Sequence, residues 1–341
     1  MTRYTTALFI ASLALSSLGT ASATALTAGD ILNQYNLVVF DDLDTNSHVD
    51  GRTYVGGDLT GNGGDFFQHG SQAAASAYPA LIVGGDVSGG DKHVNSNGNA
   101  LIGGNVSHLT MNGGSAAVGG TVEANSSHGN FRSSASVAIP DFESILRGYS
   151  SALAGETGNG SIRMNGSRAI FSADPNQALT VFNISGDFFN GVNEIEVSGD
   201  ATSRLLINVD GNPGTIAANF LGDYSSLQTS LIWNFFDASA IDFQRQFRGS
   251  ILAPEAAITN SNNLEGSVVA GSFYQRGEVH LPGFGNDFPS TEPPSADIPE
   301  PPVWLLFFAG VLGLGLFRSR RRASRARRTV LDAEHTPAST V

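Results

Sequence analysis

Cysteine is absent from the 341 residues, and lysine occurs once, at Lys92. Without cysteine, disulfide bonds cannot stabilise this protein and thiol chemistry cannot be part of its activity. No Gly-x-x-x-x-Gly-Lys-Ser/Thr sequence surrounds the single lysine, so a phosphate-binding loop of that type is excluded. A chain of this size without covalent links must depend on a repetitive or well-packed core.

Positive charge is scarce between the two ends of the chain. The sequence holds 18 Lys and Arg against 31 Asp and Glu, a net charge of −13. Eight of the arginines, together with Glu300, Asp332 and Glu334, lie outside residues 26–299, so this central part is near −18. Such a charge repels the phosphates of nucleic acids. It favours a solvated, secreted surface with divalent cations in its neighbourhood.

Long apolar runs are confined to the two ends. Residues 1–25 contain Arg3, then an apolar stretch over 7–18, then small residues that end in Ala23-Thr24-Ala25. This order predicts a Sec signal peptide, with Ala23 and Ala25 as the residues that signal peptidase recognises. A first membrane helix would need a longer apolar stretch. We therefore expect an exported protein whose mature chain begins near Leu26.

The second apolar run covers residues 303–317. Fifteen residues of helix span roughly 22 Å, less than the roughly 30 Å of a bilayer core, so flanking residues must extend a transmembrane helix here. These flanking residues are Trp304, Arg318, Arg320, Arg321 and Arg322. Seven arginines within 318–328 keep the C-terminal side in the cytoplasm by the positive-inside rule. An ordinary tail anchor and a buried core helix are the alternatives.

Three parts occur in order at this end: Pro299-Glu300-Pro301, the apolar run and the arginine cluster. Together, over residues 298–328, they resemble the PEP-CTERM sorting signal of Gram-negative bacteria. The resemblance implies recognition by exosortase, a membrane-embedded enzyme that removes the helix and releases or transfers the ectodomain. It also implies a precursor anchored in the inner membrane and a final place at the cell surface, outer envelope or extracellular matrix. Family members usually end soon after the arginines, whereas residues 329–341 form a cytoplasmic extension here.

One phrase recurs between the two ends: an aliphatic residue, two glycines, a polar residue and an aliphatic residue. It occurs at 54–59, 82–87, 101–106 and 117–122, with spacings of 28, 19 and 16 residues. These spacings are near the length of one solenoid coil. We expect each phrase to be a short strand that turns at the glycine pair, because glycine tolerates positive φ and allows coils to approach closely.

More strand-like segments follow, rich in Val and Ile and separated by Gly, Asn and Asp. They cover residues 179–184, 193–197, 204–209, 230–235, 248–258 and 264–273. By themselves these patterns leave a sandwich and a solenoid open. Residues 286–297, rich in Pro and Ser, read as a spacer before the tail.

Residues 140–154 have a different period. One apolar stripe recurs at steps of three and four residues, which predicts an amphipathic helix. The stripe consists of Phe142, Ile145, Leu146, Tyr149 and Leu153. We expect this single helix to lie along the solenoid or to cap its open end.

Four segments, at 36–40, 50–58, 249–254 and 266–270, are similar to the choice-of-anchor A domain. That family is named for its association with different C-terminal anchors, PEP-CTERM among them. The resemblance covers the ectodomain, residues 26–285, and implies a right-handed parallel β-helix with one flanking α-helix. It also implies an adhesive module, similar in general plan to bacterial ice-binding-like solenoids, without catalytic residues.

Candidate metal ligands are few. Asp41, Asp42, Asp44 and Asp50 form a local acidic group that could bind calcium, or could be a solvated turn whose side chains cap backbone groups. Seven histidines show no i, i+4 pair, so we expect them to be loop residues without a metal. Calcium is thus the one cofactor that the sequence leaves open.

Two further patterns bear on activity. Glu194 and Glu196 alternate in a predicted strand and so share a face, which makes them a candidate pair for polysaccharide hydrolysis, although an acidic domain offers such pairs by chance. Aromatic residues come in doublets, and either one ring of a doublet faces outward to stack on a sugar or protein partner, or the helix and loops bury them, which we favour. The rings in question are Phe66, Phe67, Phe188, Phe189, Trp233, Phe235, Phe236, Phe243, Phe247, Phe273 and Tyr274.

The sequence therefore predicts a mainly β, non-enzymatic surface or matrix protein that engages exopolysaccharide or another surface. A secreted polysaccharide-active enzyme on the same scaffold is the first alternative. An ice-binding-like solenoid is the second, although the coils show no Thr-x-Thr ladder.

Overall fold

A computed structural model describes residues 26–126, 129–134, 137–285 and 288. The chain divides into two compact units, Met1–Thr291 and Glu292–Val341, and the described residues belong to the first. Within them no helix is both long and apolar enough to cross a membrane. The segment 303–317 lies outside the described residues.

The described part is mainly β, as the sequence predicts. The helices are α1 (Ala28–Gln34), α2 (Glu143–Ala154) and a 3₁₀ helix (Gly186–Gly191). The strands before α2 are β1 (Tyr35–Val39), β2 (Leu43–Thr45), β3 (His48–Val49), β4 (Arg52–Val55), β5 (Leu59–Thr60), β6 (Gly64–Phe66), β7 (Leu81–Val83), β8 (Lys92–Val94), β9 (Ala100–Ile102), β10 (Leu109–Met111), β11 (Ser115–Val118) and β12 (Asn130–Ser133). Those after it are β13 (Ile162–Asn165), β14 (Arg168–Ser172), β15 (Thr180–Ser185), β16 (Glu194–Ser198), β17 (Leu205–Asp210), β18 (Gly214–Ile216), β19 (Asn219–Leu221), β20 (Leu231–Asn234), β21 (Ala240–Phe243), β22 (Phe247–Arg248), β23 (Ser250–Asn260), β24 (Leu264–Glu265), β25 (Val268–Gln275) and β26 (Val279–His280).

Parallel pairing organises these strands into stacked coils. The helix face has the order β12-β11-β9-β7-β4-β1-β25-β23-β20-β17-β15. The polar face consists of β2, β5, β18, β21 and the C-terminal parts of β23 and β25, which pair with one another. The histidine face has the order β10-β8-β6-β3-β26-β24-β22, and a smaller sheet has the order β13-β14-β16-β19. The chain visits the three faces in turn, as in β1, β2, β3 and then β4, β5, β6, which is the plan of a β-solenoid.

The coils do not stack in chain order. Strand β1 lies between β4 and β25, so the first strand is in the middle of the helix face. Its first half builds outward to β12, and its second half begins at β15, at the opposite end, and returns to β25. Coils that follow one another in the chain are therefore neighbours only within each half. The long-range pairing of β1 with β25 carries no local signal.

Helix α2 connects the two halves along the helix face, where the sequence placed a helix. Near its start the Tyr54 hydroxyl donates to the carbonyl of Pro140 at 3.0 Å. At its end Asn208 of β17 donates to the carbonyl of Leu153 at 2.8 Å. The predicted apolar stripe is buried or partly buried against the sheet, so α2 lies along the solenoid rather than capping it.

A row of side-chain amides, two of them buried, fastens α2 to the sheet. The Asn234 side chain donates to the carbonyl of Ser150 at 2.9 Å and accepts from the Ser150 hydroxyl at 2.6 Å. Asn234 also donates to Asn208, and Asn208 donates to Asn183 on the next strand. The sequence does not reveal this row, because the three asparagines are 25 and 26 residues apart. Only the register of the paired strands aligns them.

The sequence analysis predicted one helix, and α1 is a second. Its first turn carries a capping box: the Thr27 hydroxyl accepts from the backbone N–H of Asp30 while the Asp30 carboxylate accepts from that of Thr27. Ile31 and Leu32 are buried against the helix face. The Thr27-x-x-Asp30 pattern was the signal that could have revealed α1.

The glycine phrases stack as predicted. Two reasons for glycine were expected, positive φ and close approach of the coils, and only the second applies. Val55, Val83, Ile102 and Val118 are aligned in successive strands and point into the core. A Cβ on Gly84 would lie 2.1 Å from the carbonyl oxygen of Gly56, and the other phrases show the same crowding. The paired glycines are not among the residues with positive φ. Close approach of the coils, and not a left-handed backbone, therefore requires glycine here.

Lys92, the only lysine, is fully buried. Its ammonium donates to the carbonyls of Ser88 at 2.6 Å, Gly90 at 3.0 Å and Gly61 at 3.2 Å. Burial lowers the pKa of Lys92 to about 8, against the opposing influence of nearby carboxylates. The side chain thus ties two neighbouring coils together from the inside.

Candidate binding surfaces and cleft

The polar face carries a straight row of side chains, one from each strand. In order across the face they are Thr215, Asp242, Thr259, Tyr274, Asp44 and Thr60. Strands are about 4.8 Å apart, so the row extends over roughly 24 Å. Every member is at least partly exposed, whereas the neighbours in the same strands point into the core. A regular row of this length fits an extended, repeating ligand.

A ladder of polar residues lies at the edge of this face, where the glycine phrases turn. Asp42 accepts from the backbone N–H of Asp58 at 2.8 Å, and Asp58 from that of Asp86 at 2.7 Å. Asp86 accepts from Asn105, and Asn105 accepts from Thr121. The polar residue of each of the first three phrases therefore has a structural role, because its side chain caps the backbone of the next coil.

The four calcium candidates do not form a joint site. Asp42 belongs to the ladder, and Asp44 lies 2.7 Å from the guanidinium of Arg276. Asp50 lies on another face, where its carboxylate is 2.7 Å from the His69 ring. Asp41 is exposed next to Asp42. Among the described residues no group of three or more His, Asp or Glu is arranged to hold a metal ion, and a calcium role stays a prediction.

Histidine–carboxylate pairs mark the histidine face. On three adjacent strands the Asp65 carboxylate lies 2.8 Å from the His48 ring and 3.2 Å from the His93 ring. His280 lies 3.0 Å from Glu265 and 2.6 Å from Glu278. The sequence analysis expected histidines in loops, but these three lie in β3, β8 and β26. Cross-strand pairing with a carboxylate explains why a strand accommodates them.

His280 carries a positive charge near neutral pH. Its hydrogen bond to Glu265, supported by Glu278 and the nearby Asp50, raises the pKa of His280 to about 9 although burial opposes this. Burial alone would raise the pKa of Glu265, but hydrogen bonds from His280 and Gln246 hold it below its usual value. The pair is therefore an ion pair over the physiological range.

A cleft opens beside this ion pair, with a volume of about 150 Å³. Buried Tyr224 and Leu231 form part of its wall, and Glu265, Gln246 and Arg248 supply polar groups. The indole N–H of Trp233 donates to the carbonyl of Arg248 at 2.9 Å and so positions this strand. The sequence did not point to Tyr224, Leu231, Gln246, Arg248 or Glu265 as members of a site. Their only local signal is alternation in a two-residue strand, which is too short to interpret.

Residues 28–281 match the family described as "Putative Ice-binding-like adhesive domain". The chain belongs to this family. No curated protein and no solved structure shows a significant match. Membership of an adhesive family agrees with the stacked parallel strands and fits a protein of the cell surface or extracellular space.

The adhesive domain places the two candidate carboxylates on one face of β16, as predicted. Arg168 lies between them, 2.8 Å from Glu194 and 3.6 Å from Glu196. These bonds raise the pKa of the Arg168 guanidinium. Both carboxylates therefore have a cationic partner on the neighbouring strand β14.

Most of the doublet aromatics are buried in the adhesive domain, as the sequence analysis favoured. Trp233, Phe235, Phe243 and Phe247 pack edge to face or tilted within the core. Tyr274 is the exception, with 50% of its surface exposed and the Arg276 guanidinium 3.2 Å from its ring centroid. It lies in the polar row and is the one ring of this set that presents a large exposed surface.

The processing and anchoring residues lie outside the described residues. They are Ala23, Ala25, Pro299, Glu300, Pro301, Trp304, Arg318, Arg320, Arg321 and Arg322. Their roles stay predictions.

Proposed function

We propose that this protein is exported and that its adhesive domain binds exopolysaccharide at the cell surface or in a biofilm matrix. The observation that supports this most directly is the polar row, which the parallel register repeats at every coil. A polysaccharide is also a repeating chain, so successive units can meet side chains that recur at a regular spacing. The exposed Tyr274 ring supplies an apolar platform for a sugar face within an otherwise hydrophilic row.

Binding to surface-coated polysaccharides tests this proposal. The full chain is applied to alginate, xanthan and dextran, and bound protein is measured against concentration. Tyr274→Ala should weaken binding by about fivefold, the order expected for loss of one ring contact. Met164→Ala is the matched control, because its side chain is 48% exposed but lies on the smaller sheet. Absence of binding to every polymer, or equal losses in both variants, would refute the proposal.

The finer family assignment is a choice-of-anchor A domain folded as a right-handed β-helix. Right-handed crossover is the general rule for parallel strands joined within one sheet, which supports the handedness. The sequence similarity in β1 and β4 and in β23 and β25 supports the family. In the fold these segments are adjacent, since β1 pairs with both β4 and β25, and β25 pairs with β23.

Sorting is the second part of the proposal. Signal peptidase removes residues 1–25, and exosortase recognises Pro299-Glu300-Pro301 and removes the apolar helix. Mass spectrometry of the mature protein from its native host should then find a chain that begins near Leu26 and lacks residues 304–341. A full-length, membrane-retained chain would contradict the proposal.

We further propose that the domain is not an enzyme. The ion pairs of Arg168 with Glu194 and Glu196 support this, because both carboxylates are already engaged by a cation on the neighbouring strand. Reducing-end release from a polysaccharide panel should therefore be absent. Turnover that disappears in Glu194→Gln or Glu196→Gln would establish the alternative, a polysaccharide-active enzyme.

Ice binding is a second candidate, supported by the family description and by the three threonines of the polar row. Asp242, Tyr274 and Asp44 interrupt these threonines, so the flat, uniform surface that an ice lattice requires is broken. Thermal hysteresis above that of an equal concentration of albumin would favour this candidate over polysaccharide binding.

A further inference from the structure

The side chain of Arg248 lines the cleft. Arg147, Arg168 and Arg276 each lie within ion-pair distance of a carboxylate. Arg248 has no such contact among the residues that the structure describes. Its guanidinium lies 4.9 Å from the centroid of the Tyr224 ring and donates a single long hydrogen bond, 3.4 Å, to Gln246. In a domain this acidic, a cation left unpaired in a cleft has donors available for an anionic ligand.

The two acidic residues that line the cleft, Glu265 and Asp223, already accept hydrogen bonds from other groups. Glu265 is the cross-strand neighbour of Arg248, yet its carboxylate accepts from Gln246 at 2.7 Å and pairs with His280 at 3.0 Å. Asp223, at the rim, accepts the backbone N–H of Ser225 at 2.9 Å. These bonds direct both carboxylates to other donors. The guanidinium therefore keeps the planar fork that recognises a carboxylate through two parallel hydrogen bonds.

The size of the cleft restricts the ligand. A cavity of about 150 Å³ accommodates one six-membered ring such as benzene. The walls here are polar as well as apolar, with Gln228, Ser225 and Gln246 beside Leu231 and Pro282. Amide and hydroxyl groups at this density suit the hydroxyls of a sugar ring rather than a hydrocarbon.

We propose that this cleft is a subsite for a single uronic acid unit, whose carboxylate is held by Arg248 and whose ring lies against Leu231 and Pro282. This inference rests on the proposed binding of polysaccharide and names the acidic sugar that the domain prefers. The cleft is built from β22, β24 and the loop before β20, and it is separate from the polar row. It thus adds selectivity for acidic chains to the extended contact.

Calorimetric titration of the full chain with methyl glucuronide and methyl glucoside tests the subsite. These two probes differ only in the carboxylate, so their comparison needs no variant. Glucuronide should bind at least about tenfold more tightly, the order of one charge-assisted bidentate contact. Arg248→Gln should abolish this difference, and Arg248→Lys, which retains the charge without the fork, should reduce it. Arg163→Gln is the control, since Arg163 is exposed on the smaller sheet.

Equal affinity for the two glycosides, or an unchanged preference in Arg248→Gln, would overturn the subsite. Absence of glucuronide binding would do the same. The proposed adhesive function would still stand after such results if polysaccharide binding depends on Tyr274. Conversely, glucuronide binding without any polysaccharide binding would retain the subsite and refute the proposed adhesion. Circular dichroism of each variant shows whether it is folded.

Discussion

The side-chain amide of Asn36 donates to the carbonyl of Gly266 at 2.8 Å, although 230 residues separate them in the chain. The same amide donates to the carbonyl of His280 at 3.0 Å, and the Asn36 side-chain oxygen accepts the N–H of Gly51 at 3.0 Å. One buried side chain therefore joins the first coil to the next coil and to the last two coils of the domain. It closes the junction at which the two halves of the solenoid meet.

Replacement of Asn36 by alanine should destabilise the domain by about 3 kcal/mol. The change leaves the N–H of Gly51 and the carbonyl of Gly266 without their Asn36 partner in a buried position, while the His280 carbonyl keeps the N–H of Gly266. Urea unfolding followed by circular dichroism measures the effect. Asn165→Ala, at an exposed position in β13, should change stability by less than about 0.5 kcal/mol. A similar small effect for Asn36→Ala would mean that the junction does not depend on this residue.

Two glycine-to-alanine substitutions should have opposite effects. In Gly84→Ala the new Cβ would lie 2.1 Å from the carbonyl oxygen of Gly56, so neighbouring coils must separate. We expect a loss of about 4 kcal/mol or a failure to fold, as for other severe overpacking. Gly148 lies in α2 with nothing within 4 Å of an added Cβ. Gly148→Ala should therefore stabilise by about 1 kcal/mol through helix propensity.

The same denaturation series decides this prediction. Equal stability of Gly84→Ala and the parent protein would contradict the close approach of the coils. Destabilisation by Gly148→Ala would contradict the exposed position of that glycine in the helix.

Lys92 should make the domain more stable as pH rises from about 8 to 10. The pKa of Lys92 in the folded state is about 8, below the ordinary value of 10.5, so the unfolded chain binds more protons over this interval. The gain, relative to Lys92→Met, should be about 2 kcal/mol. Unfolding midpoints at pH 8, 9 and 10 measure it. Parallel pH profiles of the two proteins would show that the ammonium is not desolvated.

His280 should make the domain less stable as pH rises from about 6.5 to 9. Its folded-state pKa is raised from 6.5 to about 9, so its contribution is complete below about pH 6.5 and disappears as pH rises through 9. Parent protein should lose about 1 to 2 kcal/mol over this interval relative to His280→Gln. Thermal unfolding between pH 6 and 9.5 tests this. Glu278→Gln should show a smaller loss, because Glu265 still pairs with the ring.

Local patterns were sufficient to predict many individual elements. The stripe from Phe142 to Leu153 predicted α2, and the glycine phrases predicted strands β4, β7, β9 and β11 with their aligned aliphatic residues. Both patterns show which side of an element is buried. Buried residues recur every few positions along the chain, so such a pattern can be recognised from the sequence. Buried aromatic doublets followed from the same reasoning. The capping box of α1 was present in the sequence but not used.

The binding features were less accessible. The polar row and the Asn183–Asn208–Asn234 row each use one residue per coil, and coil lengths vary, so no fixed spacing connects their members. Arg248 becomes a candidate binding residue only because it lies over the Tyr224 ring and has no carboxylate within ion-pair distance among the described residues. Neither fact is local.

By itself, then, the sequence determined the mainly β class, the α2 helix and the stacking positions, because these depend on burial and close approach between neighbours in a repeat. Tertiary structure alone decided that the first strand, β1, lies in the middle of the solenoid, with Asn36 joined to Gly266. It also decided which side chains align into a surface. The physical reason is that hydrogen bonds between parallel strands select a register in space, and the free energy of that choice comes from contacts between residues far apart in the chain.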